Sequence, residues 1–174
     1  MSKLSPDSIQ QDQMWMQFAL AEAETAIYRT RPNPAVGCVI VKDHQIVGRG
    51  ATAPVGGSHA EVFALKQAGD QAQGATAYVT LEPCAHYGRT PPCANGLVEA
   101  GISRVVIACS DPNPLVAGKG VQILKNAGIE VLQGVCEAQA AAQNRGFLKA
   151  IATGMPYVRL KIASSLDGRT AMAS

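Results

Sequence analysis

The chain has 174 residues, of which 47% are hydrophobic, 16% charged and 5% aromatic, and its formal net charge is +2. This size and composition predict one globular domain with a short extension. The small net charge, with no run of Lys or Arg, disfavours a nucleic-acid-binding surface, and no apolar run is long enough to cross a membrane. The N-terminal sequence MSKLSPDSIQQDQ lacks the apolar stretch of a secretory signal, so a cytoplasmic protein with reduced thiols is expected.

Hydrophobic periodicity predicts helices that alternate with strands. A first helix is predicted over residues 8–29, with Asp7 or Ser8 as its N-cap. The later predicted elements are strands at 36–42 and 45–51 joined by a hairpin turn, a helix at 59–68, a strand at 76–81, a helix at 93–100, a strand at 104–108, a helix at 120–127, a strand at 129–132, a helix at 136–153 and a strand at 157–163. This alternation after an initial hairpin predicts an α/β sandwich with a mixed central sheet.

His59, Cys84 and Cys93 have side chains that commonly bind metals, and they lie in or near polar segments. A neutral imidazole and two thiolates suit zinc, and three protein ligands leave the fourth tetrahedral position open to water, as in catalytic sites. Glu61, two residues after the His, has a carboxylate that can carry protons without binding the metal. The order H-x-E and then P-C-x-x-C is the signature of zinc nucleobase deaminases, although here eight residues separate the two Cys. The sequence therefore predicts a catalytic zinc site.

The five Cys residues do not share one explanation. Cys38 and Cys109 lie inside β-branched runs and are predicted to be core residues, and Cys136 has no neighbour that indicates another role. Cys84 and Cys93 instead follow Pro in the polar segment EPCAHYGRTPPCANG. A disulfide between these two is disfavoured in a reducing compartment, so metal binding is the preferred interpretation.

The short spacing between His59 and Glu61 raises a geometric question. If both residues lie on the helix predicted at 59–68, their side chains point to nearly opposite sides, and they can share a water only beyond the helix end. The alternative is that Glu61 is a solvated first-turn residue favoured by the helix dipole.

The chain contains five longer motifs: PNPAVGCVIVKD (32–43), HAEVFAL (59–65), TLEPCAHYGRTPPC (80–93), DPNPLVAGKG (111–120) and LKIASSLDGRTA (160–171). Together they resemble one family, the bifunctional deaminase/reductase of bacterial riboflavin biosynthesis. The widened Cys spacing is the form that this family uses. The resemblance implies the three-layer αβα fold of cytidine deaminases. It also implies hydrolytic deamination of 2,5-diamino-6-(5-phosphoribosylamino)pyrimidin-4(3H)-one, which releases ammonia. One Zn²⁺ per chain would be held by His59, Cys84 and Cys93, with Glu61 as the catalytic proton shuttle.

The motifs also imply substrate contacts. Asn33 lies between two prolines that fix its backbone, and its amide can both donate to and accept from a pyrimidinone edge. The Ala60 N–H is a second candidate anchor for the ring. Asp111 and Asn113 follow a predicted strand end, a position typical of ligand contacts in α/β folds and also of plain turns.

The segment between Cys84 and Cys93 distinguishes the chain from deaminases with shorter spacing. It contains His86 and Arg89, and because a guanidinium suits phosphate, both are predicted to bind the ribosyl phosphate. A solvated loop is the alternative. Thr52 stands where many family members carry a His, so one polar substrate contact is expected to differ.

The resemblance divides the chain into two parts. Residues 1–153 are predicted to form the zinc-dependent deaminase domain, and residues 154–174 a linker and the start of a reductase domain. The family's NADPH-dependent reductase activity needs a long stretch beyond Ser174, so this chain is not expected to encode it. The expected partner is a small-molecule phosphoribosylaminopyrimidine, with no nucleic acid and no membrane, and the full-length protein is expected to be a homo-oligomer.

Two other functions remain open. Another zinc deaminase, acting on guanine, cytosine or tRNA adenosine, is disfavoured by the long segment with Arg89 and by the near-neutral charge. A structural zinc module would close its site with a fourth protein ligand, for which His86 is the nearby candidate.

Overall fold

The computed structural model describes residues 6–87, 91–113 and 116–170, with side chains described from Ser8 onward. The helices in this part of the chain are α1 (Pro6–Ala26), α2 (Ala60–Ala68), α3 (Cys93–Glu99), α4 (Lys119–Asn126), α5 (Glu137–Gln143) and α6 (Arg145–Thr153). The strands are β1 (Gly37–Lys42), β2 (Gln45–Ala51), β3 (Thr76–Leu81), β4 (Arg104–Cys109) and β5 (Glu130–Gln133). None of these helices is both long enough and apolar enough to span a bilayer.

The five strands form one mixed sheet in the order β2-β1-β3-β4-β5. Strand β1 pairs antiparallel with β2 and β3, whereas β3, β4 and β5 are parallel. Cys38 near the start of β1 pairs with Val79 near the end of β3, and Leu81 pairs with Cys109 at the end of β4. The chain entering β1 and the chains leaving β3 and β4 therefore meet at one edge of the sheet.

Helices cover both faces of the sheet, as the predicted three-layer αβα sandwich requires. Helices α1 and α5 pack together on one face, and α2, α3 and α4 form the layer on the other. Two glycines allow backbones to approach closely. A Cβ at Gly37 would lie 1.9 Å from the carbonyl oxygen of Ala19 in α1, and one at Gly48 would lie 2.1 Å from that of Ala64 in α2. Cys38 and Cys109 are buried in this core, as predicted.

The structure corrects three predicted elements. Helix α1 begins at Pro6, so Asp7 and Ser8 lie within it instead of capping it, since Pro suits the first helical position. The helix predicted at 136–153 is divided into α5 and α6 at Asn144. Residues 157–163 form no strand, and their side chains are exposed, because no strand in the described part of the chain pairs with them.

Candidate metal centre

The three predicted ligands converge because each lies at the end of a regular element. His59 is the N-cap residue of α2, Cys84 follows the end of β3 by three residues, and Cys93 is the first residue of α3. His59 Nδ1 lies 3.2 Å from the Sγ of Cys93 and 3.7 Å from the Sγ of Cys84. All three donor atoms lie within 4.8 Å of one another.

The spacing and chemistry of these donors fit zinc. Tetrahedral Zn–N and Zn–S bonds of about 2.1 and 2.3 Å place the nitrogen and a sulfur about 3.6 Å apart. The observed distances of 3.2 and 3.7 Å lie on either side of that value. Among the described residues no further His, Cys or carboxylate joins the group, and His86 is exposed and outside it. A three-ligand site is of the open, catalytic kind.

The surroundings of the two thiols favour a negative charge on Cys84. The backbone N–H of Cys93, at the start of α3, donates a hydrogen bond to the Sγ of Cys84 at 3.2 Å. Hydrogen bonds from the Cys93 thiol and from His59 lower the pKa of Cys84 to about 4, despite partial burial. The hydrogen bond to Cys84, and next burial, raise the pKa of Cys93. The lowered pKa of Cys84 favours its thiolate, which is the form that binds metal.

Glu61 is buried beside the three donors. Glu61 is 4% exposed, and the Cys93 thiol lies close enough to its carboxylate to influence the pKa of Glu61. Burial raises the pKa of Glu61, opposed in part by a backbone hydrogen bond and by nearby His59. The condition for an opposite orientation of His59 and Glu61 is not met, because His59 has extended backbone angles (φ −76°, ψ 163°) ahead of the helix. The alternative of a solvated Glu61 is wrong.

Two of the predicted substrate contacts approach the metal centre from the loops after β3 and β4. Asp111 is almost fully buried, and its Oδ1 accepts the N–H of Asn113 at 2.8 Å. Burial and the charge of Glu82 raise the pKa of Asp111, with a smaller contribution from Cys84, while His86 lowers it. Asp111 and His86 are therefore neighbours of Cys84. Asn113 is half-buried in the turn that Asp111 closes.

The remaining predicted contacts differ in how the structure places them. Asn33 is exposed on the chain entering β1, at the sheet edge where Cys84 also lies. Ala60 is the buried first residue of α2, so its N–H is in the first turn, where helix N–H groups lack intrahelical acceptors. Arg89 lies outside the described residues, and its phosphate contact stays a prediction.

A family model described as the cytidine and deoxycytidylate deaminase zinc-binding region matches residues 9–109, which contain His59, Glu61, Cys84 and Cys93. The chain belongs to this family. The enzyme class predicted from the motifs, a zinc deaminase, is the class of this family, and the αβα fold predicted from the resemblance is confirmed.

Relatives within the deaminase family confirm the predicted resemblance. The chain is 60% identical over 164 residues to the riboflavin biosynthesis protein RibD of Haemophilus influenzae, covering 94% of this chain and 44% of that protein. It is 72% identical to a solved RibD of Acinetobacter baumannii, with a TM-score of 0.92, covering 95% of this chain and 47% of that one.

A third relative is the solved diaminohydroxyphosphoribosylaminopyrimidine deaminase/5-amino-6-(5-phosphoribosylamino)uracil reductase of Thermotoga maritima. It is 41% identical, with a TM-score of 0.90, covering 94% of this chain and 48% of that one. The chain thus spans about half the length of each of these relatives.

Sequence reasoning missed Glu82, which links the metal centre of this deaminase-family chain to the loop after β4. Glu82 is buried, and its carboxylate accepts the N–H groups of Gly118 at 3.2 Å and Val121 at 3.4 Å, at the start of α4. Its own N–H donates to the carbonyl of Cys109 at 2.9 Å. The signal was available, because an acidic residue directly after the apolar strand β3 needs a buried partner.

Thr52 is hydrogen-bonded to the backbone that enters β1. Its hydroxyl accepts the N–H of Val36 at 3.1 Å and donates to the carbonyl of the same residue at 3.3 Å. Thr52 is buried, so its polar atom is committed to the backbone that enters β1.

Proposed function

We propose that the chain catalyses zinc-dependent hydrolytic deamination of 2,5-diamino-6-(5-phosphoribosylamino)pyrimidin-4(3H)-one in riboflavin biosynthesis, with release of ammonia. The observation that carries the proposal is the buried Glu61 carboxylate next to an open site of three donors. The riboflavin-biosynthesis relatives direct the proposal toward this substrate.

The metal would be held by His59 through Nδ1 and by Cys84 and Cys93 through their Sγ atoms. A zinc ion in such a site lowers the pKa of water to about 7 and so makes a nucleophile available near neutral pH. The thiolate character of Cys84 and the N–H that it accepts from Cys93 preorganise the donors for a dication.

Glu61 would move the proton. In its ionised form a carboxylate oxygen accepts the proton of the attacking water, and the same oxygen then delivers that proton to the exocyclic amino nitrogen of the ring. The water oxygen bonds to the ring carbon that bears the amine while the ring C=N electron pair moves to the ring nitrogen. The bond to the protonated amine then breaks, ammonia leaves, and the ring C=N bond re-forms, which gives the hydroxy tautomer of the product and an ionised Glu61. A pKa raised by burial suits both transfers, because general acid–base catalysis is most efficient when the pKa is near the working pH.

The sheet edge would orient the pyrimidinone. Asn33 and the first-turn N–H of Ala60 would contact the ring edge, while Asp111 and Asn113 close the opposite side. His86 and Arg89 would contact the ribosyl phosphate. The support is positional, since the chain entering β1 and the chains leaving β3 and β4 share this edge.

The NADPH-dependent reductase activity of the resembled family is proposed for a separate domain. Residues 1–153 would form the deaminase domain, and residues 154–174 the linker and the beginning of the reductase domain. Residues 154–170 are exposed and carry no regular strand, which agrees with a segment that needs other residues to complete its structure.

Ammonia release from a panel tests the proposal; the panel holds the phosphoribosylamino compound with and without its phosphate, guanine, cytosine and tRNA. Zinc-loaded protein should act on the phosphoribosylamino compound and leave guanine, cytosine and tRNA adenosine unchanged. Turnover of one of those three instead would establish the alternative deaminase. Stoichiometric zinc with no ammonia release from any compound would favour a structural zinc module.

A further inference from the structure

The segment that carries Asn33 is held by hydrogen bonds from four parts of the molecule. Pro32 and Pro34 have no N–H, and the other backbone N–H groups of residues 33–37 all have partners outside the sheet ladder. They donate to the carbonyl of Thr30 (from Asn33, 2.8 Å), Oδ1 of Asn144 (from Ala35, 2.8 Å), Oγ1 of Thr52 (from Val36, 3.1 Å) and Oγ1 of Thr80 (from Gly37, 3.0 Å).

Asn144 makes the longest-range of these contacts and uses both ends of its amide. Its Oδ1 accepts the N–H of Ala35, and its Nδ2 donates to the carbonyl of the same residue, each at 2.8 Å. Asn144 is buried and caps α6 at the break that separates α5 from α6. Only a primary amide of this length supplies a donor and an acceptor together, so neither Ala nor Asp can replace it.

Thr30 holds the other side of Asn33. Its hydroxyl donates to the Asn33 carbonyl at 3.1 Å, and Thr30 is fully buried. Both backbone groups of Asn33 are thus bound by Thr30, and Asn144 holds the chain two residues further on, while the side chain of Asn33 is exposed at the sheet edge of the metal centre.

We infer that Asn144 is a positioning residue for Asn33 and acts through the backbone of Ala35. The inference rests on the proposed function, in which Asn33 contacts the ring edge. A contact residue whose backbone is already held loses little conformational entropy when substrate binds. A variant that frees this backbone should therefore raise KM more than it lowers kcat. Asn144 lies beyond the matched region 9–109, so the support of the substrate site includes a residue from the helices that follow the sheet.

The test uses zinc-loaded 174-residue protein and the phosphoribosylamino substrate. In Asn144→Ala and the near-isosteric Asn144→Asp, KM should rise roughly tenfold, with kcat within about threefold of the parent and zinc content unchanged. Thr30→Val should give the same pattern from the other side of Asn33. If Asn144→Ala does not fold, KM and kcat are measured on Asn144→Asp and Thr30→Val instead.

A double-mutant cycle separates positioning from a general structural effect. In an Asn33→Ala background, Asn144→Ala should raise KM by less than about twofold, because the contact that it supports is already gone. The control is Ser103→Ala, which removes a side-chain hydrogen bond to the Gly74 carbonyl, at the opposite end of the sheet, and should leave KM unchanged.

Three results are decisive against the inference. An active parent whose KM is unaffected by the Asn144 and Thr30 variants overturns the inference alone, as does an undiminished effect of Asn144→Ala in the Asn33→Ala background. A zinc-loaded parent that releases no ammonia overturns the proposed function, and the positioning role with it.

Discussion

Arg104 and Asp12 form a bidentate salt bridge between the sheet and the first helix. Nη1 donates to Oδ1 at 2.7 Å and Nη2 donates to Oδ2 at 2.9 Å. Asp12 is buried, and its Oδ1 also accepts the hydroxyl of Tyr78 at 3.0 Å. The contact joins α1 to β3 and β4 near the start of the parallel strands, away from the metal centre. Stability and chemistry can therefore be tested separately in this molecule.

Arg104→Met should lower the free energy of unfolding by about 3 kcal/mol, because it leaves the buried Asp12 carboxylate without its cation. Denaturant unfolding of the zinc-loaded protein measures the loss. The control is Glu130→Gln, which removes the exposed partner of Arg104 Nε and should cost less than about 1 kcal/mol. Similar losses of unfolding free energy in the two variants would mean that the buried Asp12 salt bridge stabilises the fold no more than the exposed Glu130 contact does.

Tyr78 should make stability fall at alkaline pH. Burial, and next the charge of Asp12, raise the pKa of Tyr78 in the folded protein above the ordinary value of 10.0. Because the folded protein holds the Tyr78 proton more tightly than the unfolded protein, Tyr78 contributes to the free energy of unfolding below pH 10.0. That contribution is lost as the pH rises further, since the unfolded protein loses the proton first. Unfolding free energies measured from pH 8 to 11 should therefore fall less steeply in Tyr78→Phe than in the parent. Equal slopes would remove Tyr78 as a cause.

Zinc binding should depend on Cys84 and Cys93 and not on the half-buried Cys136. We expect one zinc per chain in the parent, and loss or marked weakening of zinc in Cys84→Ser and Cys93→Ser, because either change removes one of three protein donors. Elemental analysis after dialysis measures the content. Cys136→Ser is the matched control and should retain the metal, since its thiol lies outside the cluster. Unchanged zinc in both ligand variants would contradict the assignment.

Glu61→Gln should keep zinc and the fold while deamination falls at least about a hundredfold, because an amide can hydrogen-bond but cannot shuttle a proton. The comparison is kcat and zinc content of the variant and the parent. Activity within about tenfold of the parent would leave Glu61 as a structural residue of the helix start.

The metal cluster was predictable because each ligand is marked by its own short sequence motif and lies at the end of a helix or strand that the sequence also predicts. His59, Cys84 and Cys93 lie at element ends that hydrophobic periodicity located within one or two residues. The predicted helix begins at His59, one residue too early. Because an N-cap residue leaves the helical path, helix geometry does not fix the orientation of His59 relative to Glu61. No local pattern indicates that Asn144 pairs with Ala35, since 109 residues separate them. The strand predicted at 157–163 is not formed. An alternating apolar pattern shows which side chains could face a core, but it does not show whether another strand is present to pair with.

The choice of substrate should depend on Arg89, the basic residue of the segment between Cys84 and Cys93. A guanidinium binds a phosphate through charged hydrogen bonds that a bare ring cannot offer. Arg89→Ala should therefore raise KM for the ribosyl-phosphate substrate by an amount equivalent to about 1.5–3 kcal/mol, with zinc content unchanged. The dephosphorylated compound is the control, since the parent should bind it poorly and the substitution should hardly affect it. Equal losses on both compounds would mean that Arg89 supports the segment itself, and the proposed selection of the phosphorylated substrate would need another cation.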